Sequence, residues 1–301
     1  MSVSPSRVRG VGLGLRWELA AALLERCPPE VDFLEISPEN YAHRGGAAER
    51  LLARAKAAYP IVTHGLAMSL GGVDPLDAAH LEAVGGIVHA VGSPFHSDHA
   101  CMSGHGGRAL HDLLPVPLTR GAADHMAARV KEASRRLGVP MAIENVSFYA
   151  HTGAPELSEP AFIRRVCERA ECGWLFDVNN AFVNAMNFGT DPRAWLDEAP
   201  LERVVQIHVA GHEWFDFAEG ELHPLGPSRP DEGRVPRRGE RLAVDTHGQD
   251  TPDPVLVLLG EVLARTGPRP VLLERDQNIP PLDDLLVELA RVRAVVAAAQ
   301  G

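Results

Sequence analysis

The sequence predicts a single (β/α)₈ barrel, the TIM-barrel fold. Eight short runs rich in Val, Ile, Leu and Phe, each followed by turn residues, recur along the chain with helical patterns between them. The length of 301 residues suits one barrel, because such barrels commonly reach about 250 residues or more. The chain has no linker-like composition break and no internal repeat. We therefore predict one domain over residues 1–301.

The eight strands are predicted where an apolar run ends in turn or polar residues. They are residues 8–14, 31–37, 60–64, 92–98, 140–146, 173–178, 204–209 and 270–275. Segments rich in Ala, Leu, Arg and Glu lie between them, with apolar residues three and four positions apart, which predicts helices. Examples of these predicted helices are residues 17–26, 46–58, 120–137, 160–170 and 254–265. The connection 211–252 is rich in Gly, Pro and Arg and is predicted to be a long loop insertion, typical of a functional lid.

Composition excludes several functional classes. The net charge of -11 disfavours a nucleic-acid partner, since such proteins usually present a basic face to phosphates. No apolar run approaches the roughly 20 residues that cross a bilayer, and no signal-peptide core follows Met1. We expect no membrane association and a cytoplasmic location. The four cysteines form no CxxC pair and are expected to be reduced and mostly structural.

Residues that can bind a metal or a proton follow seven of the eight predicted strands, where a barrel gathers its active site. These strand ends are residues 34–40, 63–65, 96–99, 143–145, 176–180, 206–208 and 273–276. Asp245 and His247 in the long loop add a further carboxylate and imidazole. Residues two apart in an extended segment face the same way, so this pair, and likewise Asp177 and Asn179, could chelate.

The donor types favour a metal centre of more than one ion. Imidazoles, carboxylates and an amide without thiolates suit iron, manganese or zinc rather than a Cys-rich structural site. Glu144 and Asp177 are candidates to bridge two ions. A lone strand-end histidine is more often structural than ligating. Several uncompensated charges buried together would nevertheless be costly without cations or mutual pairing.

Other sequence patterns say less about function. His99 is preferred as a ligand, with Asp98 supporting it, because only some of His96, Asp98 and His99 can point inwards. The segment from Gly10 to Gly14 lacks GxGxxG spacing, and the chain has no GxSxG elbow or P-loop. The remaining histidines are interpreted as surface or structural residues: His43, His80, His89, His105, His111, His125, His151 and His223.

Eight motifs follow one another along the chain: SPENY, THGLAMSLGG, SDHACMSGHGG, IENVSFYA, LFDVNNAFVNAMNFG, IHVAGHEWFD, VDTHGQDTPDPV and LLERDQNIP. Taken in this order, they resemble those of the multinuclear non-heme iron-dependent oxidative enzymes, and the resemblance runs from about Val11 to Asp284. One departure is His96, which places an extra imidazole before the family-like SDH and could compete for the metal or touch substrate.

The resemblance implies a TIM barrel that binds two or three irons of mixed Fe(II)/Fe(III) state and uses dioxygen to modify cysteine residues of ribosomally synthesised precursor peptides. It also implies a separate partner protein that binds the leader of the precursor. His64, His99 and Glu144 would hold one iron. Glu144 and Asp177 would bridge towards a central iron with His208 and Glu274, and Asn179, Asp245 and His247 would complete the third site. Asn40, Asn145 and His212 are expected to be substrate contacts or supporting donors.

Two alternatives remain from the residues alone. One is a divalent-metal hydrolase or isomerase resembling the xylose isomerase and endonuclease IV group, in which zinc, manganese or magnesium activates water or a sugar. The other is a non-catalytic protein that stores or senses metal. Metal identity separates the first alternative from the oxidase, and oxygen consumption separates the second.

Overall fold

Eight parallel strands form a closed barrel in the computed structural model, which describes residues 8–216 and 241–299. The strands of this part of the chain are β1 (Val11–Gly14), β2 (Phe33–Ile36), β3 (Ile61–Gly65), β4 (His96–His99), β5 (Met102–His105), β6 (Arg108–Leu114), β7 (Met141–Glu144), β8 (Gly173–Asp177), β9 (Val204–Val209), β10 (Glu213–Asp216), β11 (Arg241–Val244) and β12 (Val271–Leu273). The barrel order is β1, β2, β3, β4, β7, β8, β9 and β12. Parallel pairing of β12 with β1 closes it. The predicted single-domain TIM barrel is confirmed.

Helices cover the outside of the barrel. Those in the described residues are α1 (Trp17–Arg26), α2 (Ala47–Ala58), α3 (Ala78–Val91), α4 (Arg120–Leu137), α5 (Glu159–Ala170), α6 (Val178–Phe188), α7 (Pro192–Glu198), α8 (Asp253–Thr266) and α9 (Leu282–Ala298). The five helices predicted from periodicity correspond to α1, α2, α4, α5 and α8. Side chains of Asp77, Thr119 and Ser158 begin α3, α4 and α5 by accepting hydrogen bonds from backbone N–H groups of the first turn.

Two apolar layers hold the barrel together. The larger one lies between strands and helices, and the smaller one, which includes Phe33, Val62, Ala142, Leu175 and Leu272, fills the barrel interior. These five side chains are fully buried. The interior apolar layer fills the barrel and forms the floor beneath its mouth. The polar strand ends lie above this floor, about two residues further along the strands.

The predicted insertion 211–252 is described at both of its ends. β10 and β11 pair antiparallel, and Asn187 of α6 joins this ribbon to the barrel by two hydrogen bonds with the backbone of Ala243, of 2.8 and 2.9 Å. The part of the predicted loop from 217 to 240 lies outside the described residues. A second antiparallel ribbon, β5 with β6, follows β4. Within the described ranges, no helix is long and apolar enough to cross a membrane.

Gly12 supplies a test of the barrel floor. A Cβ atom at this position would lie 2.7 Å from the ring of Phe33, inside van der Waals contact. We expect Gly12→Ala to lower the free energy of unfolding by about 1–3 kcal/mol, because overpacking forces the buried ring to move. Chemical denaturation measures this. Gly121→Ala is the matched control, since its Cβ meets open space, and equal stability of the two variants would contradict the prediction.

Candidate metal centre

Imidazoles and carboxylates converge above the apolar floor, at the carboxyl ends of the barrel strands. Six of them are at most 8% exposed: His64, His99, Glu144, Asp177, His208 and Glu274. Four of the six, His64, Glu144, Asp177 and Glu274, lie two positions after a residue of the interior apolar layer. Their side chains therefore point to the same side of the strand, into the barrel. The barrel therefore brings together groups that are as much as 210 positions apart in sequence, from His64 to Glu274.

The first group of donors consists of His64, His99 and Glu144. Glu144 Oε2 lies 3.0 Å from His64 Nε2 and 3.3 Å from His99 Nε2. The two imidazole nitrogens are 3.2 Å apart. Three donor atoms at these separations surround a space that a transition-metal ion would fit.

Two further groups continue from the first. The second contains Glu144, Asp177, His208 and Glu274, and the third contains Glu274, His247 and Asp276, with donor atoms in each group within 4.8 Å of one another. Glu274 Oε2 lies 3.1 Å from His208 Nδ1 and 3.5 Å from His247 Nδ1. Glu144 thus belongs to the first and second groups, and Glu274 to the second and third. Three positions lie in a row and share two carboxylates, the arrangement in which carboxylates bridge ions.

Hydrogen bonding inside the centre is incomplete, and a cation would complete it. Glu144 Oε2, Asp177 Oδ2, His208 Nδ1 and His247 Nε2 are buried atoms without a hydrogen-bond partner among the described residues. Glu144 Oε2 is close to His64 Nε2, but the directions of the groups are not those of a hydrogen bond. Because an unpaired buried polar atom costs about 1–3 kcal/mol, donors arranged in this way fit metal ions.

The electrostatics of the cluster also favour cations. Burial lowers the pKa of His64, but the Glu144 carboxylate outweighs burial and raises this pKa to about 9. Burial opposes ionisation of Glu144, yet the imidazoles of His64 and His99 hold its pKa well below the usual range. Burial, followed by the nearby Glu144 charge, raises the pKa of Asp177 well above its usual value. Binding of a metal would displace protons from the imidazoles, because a ligating imidazole is neutral.

Hydrogen bonds behind the donors orient them. His64 Nδ1 lies 2.9 Å from Ser97 Oγ, and His208 Nε2 lies 3.1 Å from Glu35 Oε2. Glu35 also accepts a 2.6 Å hydrogen bond from Gln206. Such contacts fix the ring orientation and tautomer of a ligating histidine. Glu35 stands in a strand end that the sequence singled out, but it was not among the predicted site residues.

Asn145, predicted as a substrate contact or supporting donor, lies behind Asp177. Its Nδ2 donates to the Asp177 carbonyl over 2.9 Å, and its Oδ1 accepts from the Asp177 N–H over 3.0 Å and from Trp174 Nε1 over 3.2 Å. The residue is 1% exposed. These bonds make Asn145 a positioning group for Asp177.

The prediction that Asp177 and Asn179 belong to one extended segment is wrong. Asp177 ends β8 and begins α6, where its Oδ1 accepts a 2.6 Å hydrogen bond from Asn180 N. Asn179 therefore lies in the first helical turn. Its amide donates to Asp245 Oδ1 over 2.7 Å, and its carbonyl lies 2.8 Å from His212 Nδ1.

The third group differs in membership from the predicted set. Asp245 Oδ1 lies 2.8 Å from His247 Nε2, so Asn179, Asp245 and His247 are neighbours, as expected. Asp276, which was not predicted, lies 3.3 Å from His247 Nδ1. Its sequence signal was its position two residues after Glu274 in an extended segment.

His96 lies on the opposite face of β4 from His99, because three positions separate them in a strand. Its Nδ1 is 3.1 Å from Thr63 Oγ1. Asp98 shares this outer face and accepts hydrogen bonds from the N–H groups of His99, at 2.8 Å, and Met68, at 3.3 Å. The extra imidazole therefore does not compete for a metal inside the barrel, and Asp98 supports the backbone of His99.

A cavity of about 290 Å³ opens beside the centre. His64, Glu35 and Glu274 form part of its lining. Its wall includes Asn40, one of the predicted substrate contacts, and its lining also includes the side chain of Trp17, which is 45% exposed. His212, another predicted contact, is buried against Phe182, with ring centroids 5.3 Å apart.

Comparison with known proteins identifies the family of this chain. A family model described as "RiPP precursor modification enzyme MbnB/TglH/ChrH" matches residues 10–297. The chain belongs to this family. The resemblance predicted from the motifs is thus confirmed, and the family is one of enzymes that act on precursors of ribosomally synthesised and post-translationally modified peptides, abbreviated RiPPs.

Similar proteins match over almost the whole chain. A UPF0276 protein of Shewanella amazonensis is 38% identical over 288 residues, which cover 96% of this chain and 95% of the relative. A UPF0276 protein of Pseudomonas aeruginosa is 38% identical over 286 residues, 95% of this chain and 92% of the relative.

Solved structures share the fold. A xylose isomerase domain protein from Alicyclobacillus acidocaldarius has a TM-score of 0.55 at 16% identity and covers 97% of this chain and 99% of its own. The 3-keto-D-glucoside 4-epimerase YcjR from E. coli has a TM-score of 0.56 at 14% identity, with coverage of 95% and 99%. At these identities the likeness concerns the barrel alone.

The shared carboxylate generates a prediction about metal content. We expect Glu144→Ala to lose more than one bound ion per chain, because Glu144 belongs to two donor groups, whereas Asp276→Asn loses at most one. Elemental analysis of the purified proteins measures this. Glu159→Gln is the control, since Glu159 is a carboxyl held by Asn184 and Trp195 outside the three groups. Full metal retention in Glu144→Ala would remove that residue from the centre.

The bonds of Asn145 predict an indirect effect. Asn145→Ala leaves every donor atom in place but releases the backbone of Asp177. We expect metal affinity to fall by roughly 10–100-fold, the usual effect of removing a residue that orients a ligand. Competition with a chelator of known affinity measures the change, and an unchanged affinity would show that Asp177 is held by other contacts.

Proposed function

We propose that the chain is a multinuclear iron, dioxygen-dependent oxidase that modifies cysteine residues of a ribosomally synthesised precursor peptide. The observation that carries this proposal is the row of three donor groups joined by Glu144 and Glu274. Membership of a peptide-modifying enzyme family supports the substrate class. Imidazole and carboxylate donors suit iron. When bound, iron ions in ferrous and ferric states would supply a binding site for the substrate thiolate and a route for electrons from the cysteine, which is oxidised, to dioxygen, which is reduced.

The donors divide among three positions in this proposal. His64, His99 and Glu144 hold the first ion. The middle position takes Glu144 and Glu274 as shared carboxylates, together with Asp177 and His208. In the third position, His247 and Glu274 are joined by Asp276, and the neighbouring Asp245 and Asn179 complete the surroundings. No catalytic residue beyond the cluster is required.

The cavity beside the centre is the proposed entry for the cysteine. At about 290 Å³ it is near the lower limit of about 300 Å³ for ligand pockets, so it takes a short segment of the peptide. Asn40 on its wall offers an amide for the peptide backbone, and Trp17 offers an apolar face that limits access of water. The rest of the precursor must then be held elsewhere, which supports a separate leader-binding partner protein.

The cellular location proposed for this activity is the cytoplasm. The four cysteines, Cys27, Cys101, Cys167 and Cys172, are all free thiols. Free thiols persist in reducing compartments. The same conditions keep a precursor cysteine available as a thiol and maintain ferrous iron.

A sugar isomerase or epimerase is the second candidate, because the solved structures with the same barrel include an epimerase. Such a reaction would need a single divalent-metal site, in which the ion polarises a carbonyl or hydroxyl oxygen of the sugar. Two shared carboxylates and three adjacent donor groups exceed what such a reaction needs. Peptide oxidation is therefore favoured.

Metal content separates these candidates. We expect protein purified from iron-supplemented cells to contain two or three irons per chain, partly ferrous and partly ferric, by elemental analysis and Mössbauer spectroscopy. Zinc or manganese alone would instead favour the isomerase or a hydrolase. If the protein binds metal but consumes no oxygen with any candidate peptide, a storage or sensing role would be indicated.

Activity on a peptide is tested by co-expression with a cysteine-containing precursor encoded nearby, with and without its candidate partner, followed by mass spectrometry. We expect a mass change that disappears when the cysteine is replaced by serine and when Glu144→Ala replaces the wild-type enzyme. An unchanged peptide mass, with iron bound and the partner present, would count against the proposal.

A further inference from the structure

The three residues that follow β12 point their side chains in two directions. Glu274 and Asp276 both face the third donor group. Arg275 between them points the opposite way, towards α9, as alternation requires. Although charged, Arg275 is 6% exposed. The residue has no role in the metal groups, yet it is buried directly beside them.

Arg275 binds the loop that follows His247. Its Nη1 donates to the carbonyl of Gly248 over 3.0 Å. Its Nη2 donates to Glu288 Oε2 over 2.6 Å and also to the Asp250 carboxylate. One guanidinium therefore connects the loop to helix α9.

Glu288 holds the far end of the same loop. It lies on α9 and is 3% exposed. Its Oε1 accepts hydrogen bonds from Thr251 N, at 2.6 Å, and from Thr251 Oγ1, at 2.9 Å. Residues 248–251 are thus hydrogen-bonded to Arg275 at one end and to Glu288 at the other. We call the pair Arg275 and Glu288 the clamp.

The residue that precedes the clamped loop has a strained backbone. His247, next to Gly248, has φ of 49°, in the left-handed region that disfavours side chains. Its N–H donates to the Gly211 carbonyl over 3.0 Å, and its carbonyl accepts from Asp276 N over 2.9 Å. A backbone held in this region costs on the order of 1–3 kcal/mol and persists only when its surroundings over-determine it.

We propose that Arg275 and Glu288 are positioning residues that hold His247 in place for the third metal position. This inference rests on the proposed metal centre. The donors of the first two groups lie on barrel strands or, for Glu274, directly after one, whereas the third group also takes His247 from a loop that the clamp ties to the outer helix layer. Occupancy of the third position is therefore controlled from outside the barrel.

The buried pair must act as a unit. Removing one partner of a buried ion pair leaves an uncompensated charge and is strongly destabilising. Arg275→Lys is consequently the sharper variant, because it keeps the charge beside Glu288 while a single ammonium cannot reach Gly248, Asp250 and Glu288 together. Glu288→Gln is the second variant, since its carbonyl oxygen can still accept from Thr251 while the ion pair is lost.

Metal titration is the first measurement. Full-length protein is stripped of metal and titrated anaerobically with Fe(II), and bound iron is counted after gel filtration. We expect the wild-type protein to bind three equivalents, and both clamp variants to bind the third at least 10-fold more weakly, with the first two unchanged. Arg293→Lys is the matched control, because Arg293 also lies on α9 and pairs with Asp32, away from the loop. Wild-type affinity for all equivalents in both clamp variants would overturn the proposal.

Hydrogen exchange of the metal-free proteins is the second measurement. We expect the amides of residues 246–251 to exchange at least 10-fold faster in Arg275→Lys than in the wild-type protein, with no such change in Arg293→Lys. Unchanged exchange would overturn the clamp whether or not metal binds. A wild-type protein that binds no metal would instead overturn the proposed function, and the exchange rates would still decide whether the clamp holds the loop.

Discussion

Charge compensation among buried groups is the constraint on which the mouth of this barrel depends. Glu144 and Glu274 are buried carboxylates, and each lies between imidazoles contributed by other parts of the chain. Isolated charges in such surroundings are costly. The imidazoles offset part of this cost, and the atoms left without partners, such as Asp177 Oδ2, mark where protein groups alone do not complete the compensation. Metal ions would complete it with the donors already in place.

The rigid supports of the centre follow from the same constraint. Asn145 holds the backbone of Asp177, Ser97 lies against His64, and Glu35 lies against His208. Each of these residues is buried and polar, and each would destabilise the fold if its polar atoms had no hydrogen-bond partner. The arrangement is therefore preorganised, which is what a multinuclear centre requires to keep its ions at fixed separations.

Much of the fold and part of the site could be predicted from the sequence because their signals are local. An apolar residue followed two positions later by a metal donor occurs in Val62 and His64, and again in Leu272 and Glu274. The first residue joins the floor and the second faces the mouth. The same rule could have identified Glu35, two residues after Phe33, and the same spacing of two places Asp276 after Glu274. It failed at Asn179, because α6 begins at Val178 and changes the period from two to 3.6 residues.

By itself, the sequence determined the barrel, its eight strands and the inward direction of side chains within those strands, such as His64 and Glu144, since strand alternation depends only on neighbouring positions. Tertiary structure alone decided which potential donors lie together in one group, that Glu144 and Glu274 each belong to two groups, and that Arg275 meets Glu288 of α9. Those relations arise from closure of β12 on β1 and from helix packing. They join residues far apart in the chain, and their distances are set by the geometry of the closed barrel rather than by any local pattern.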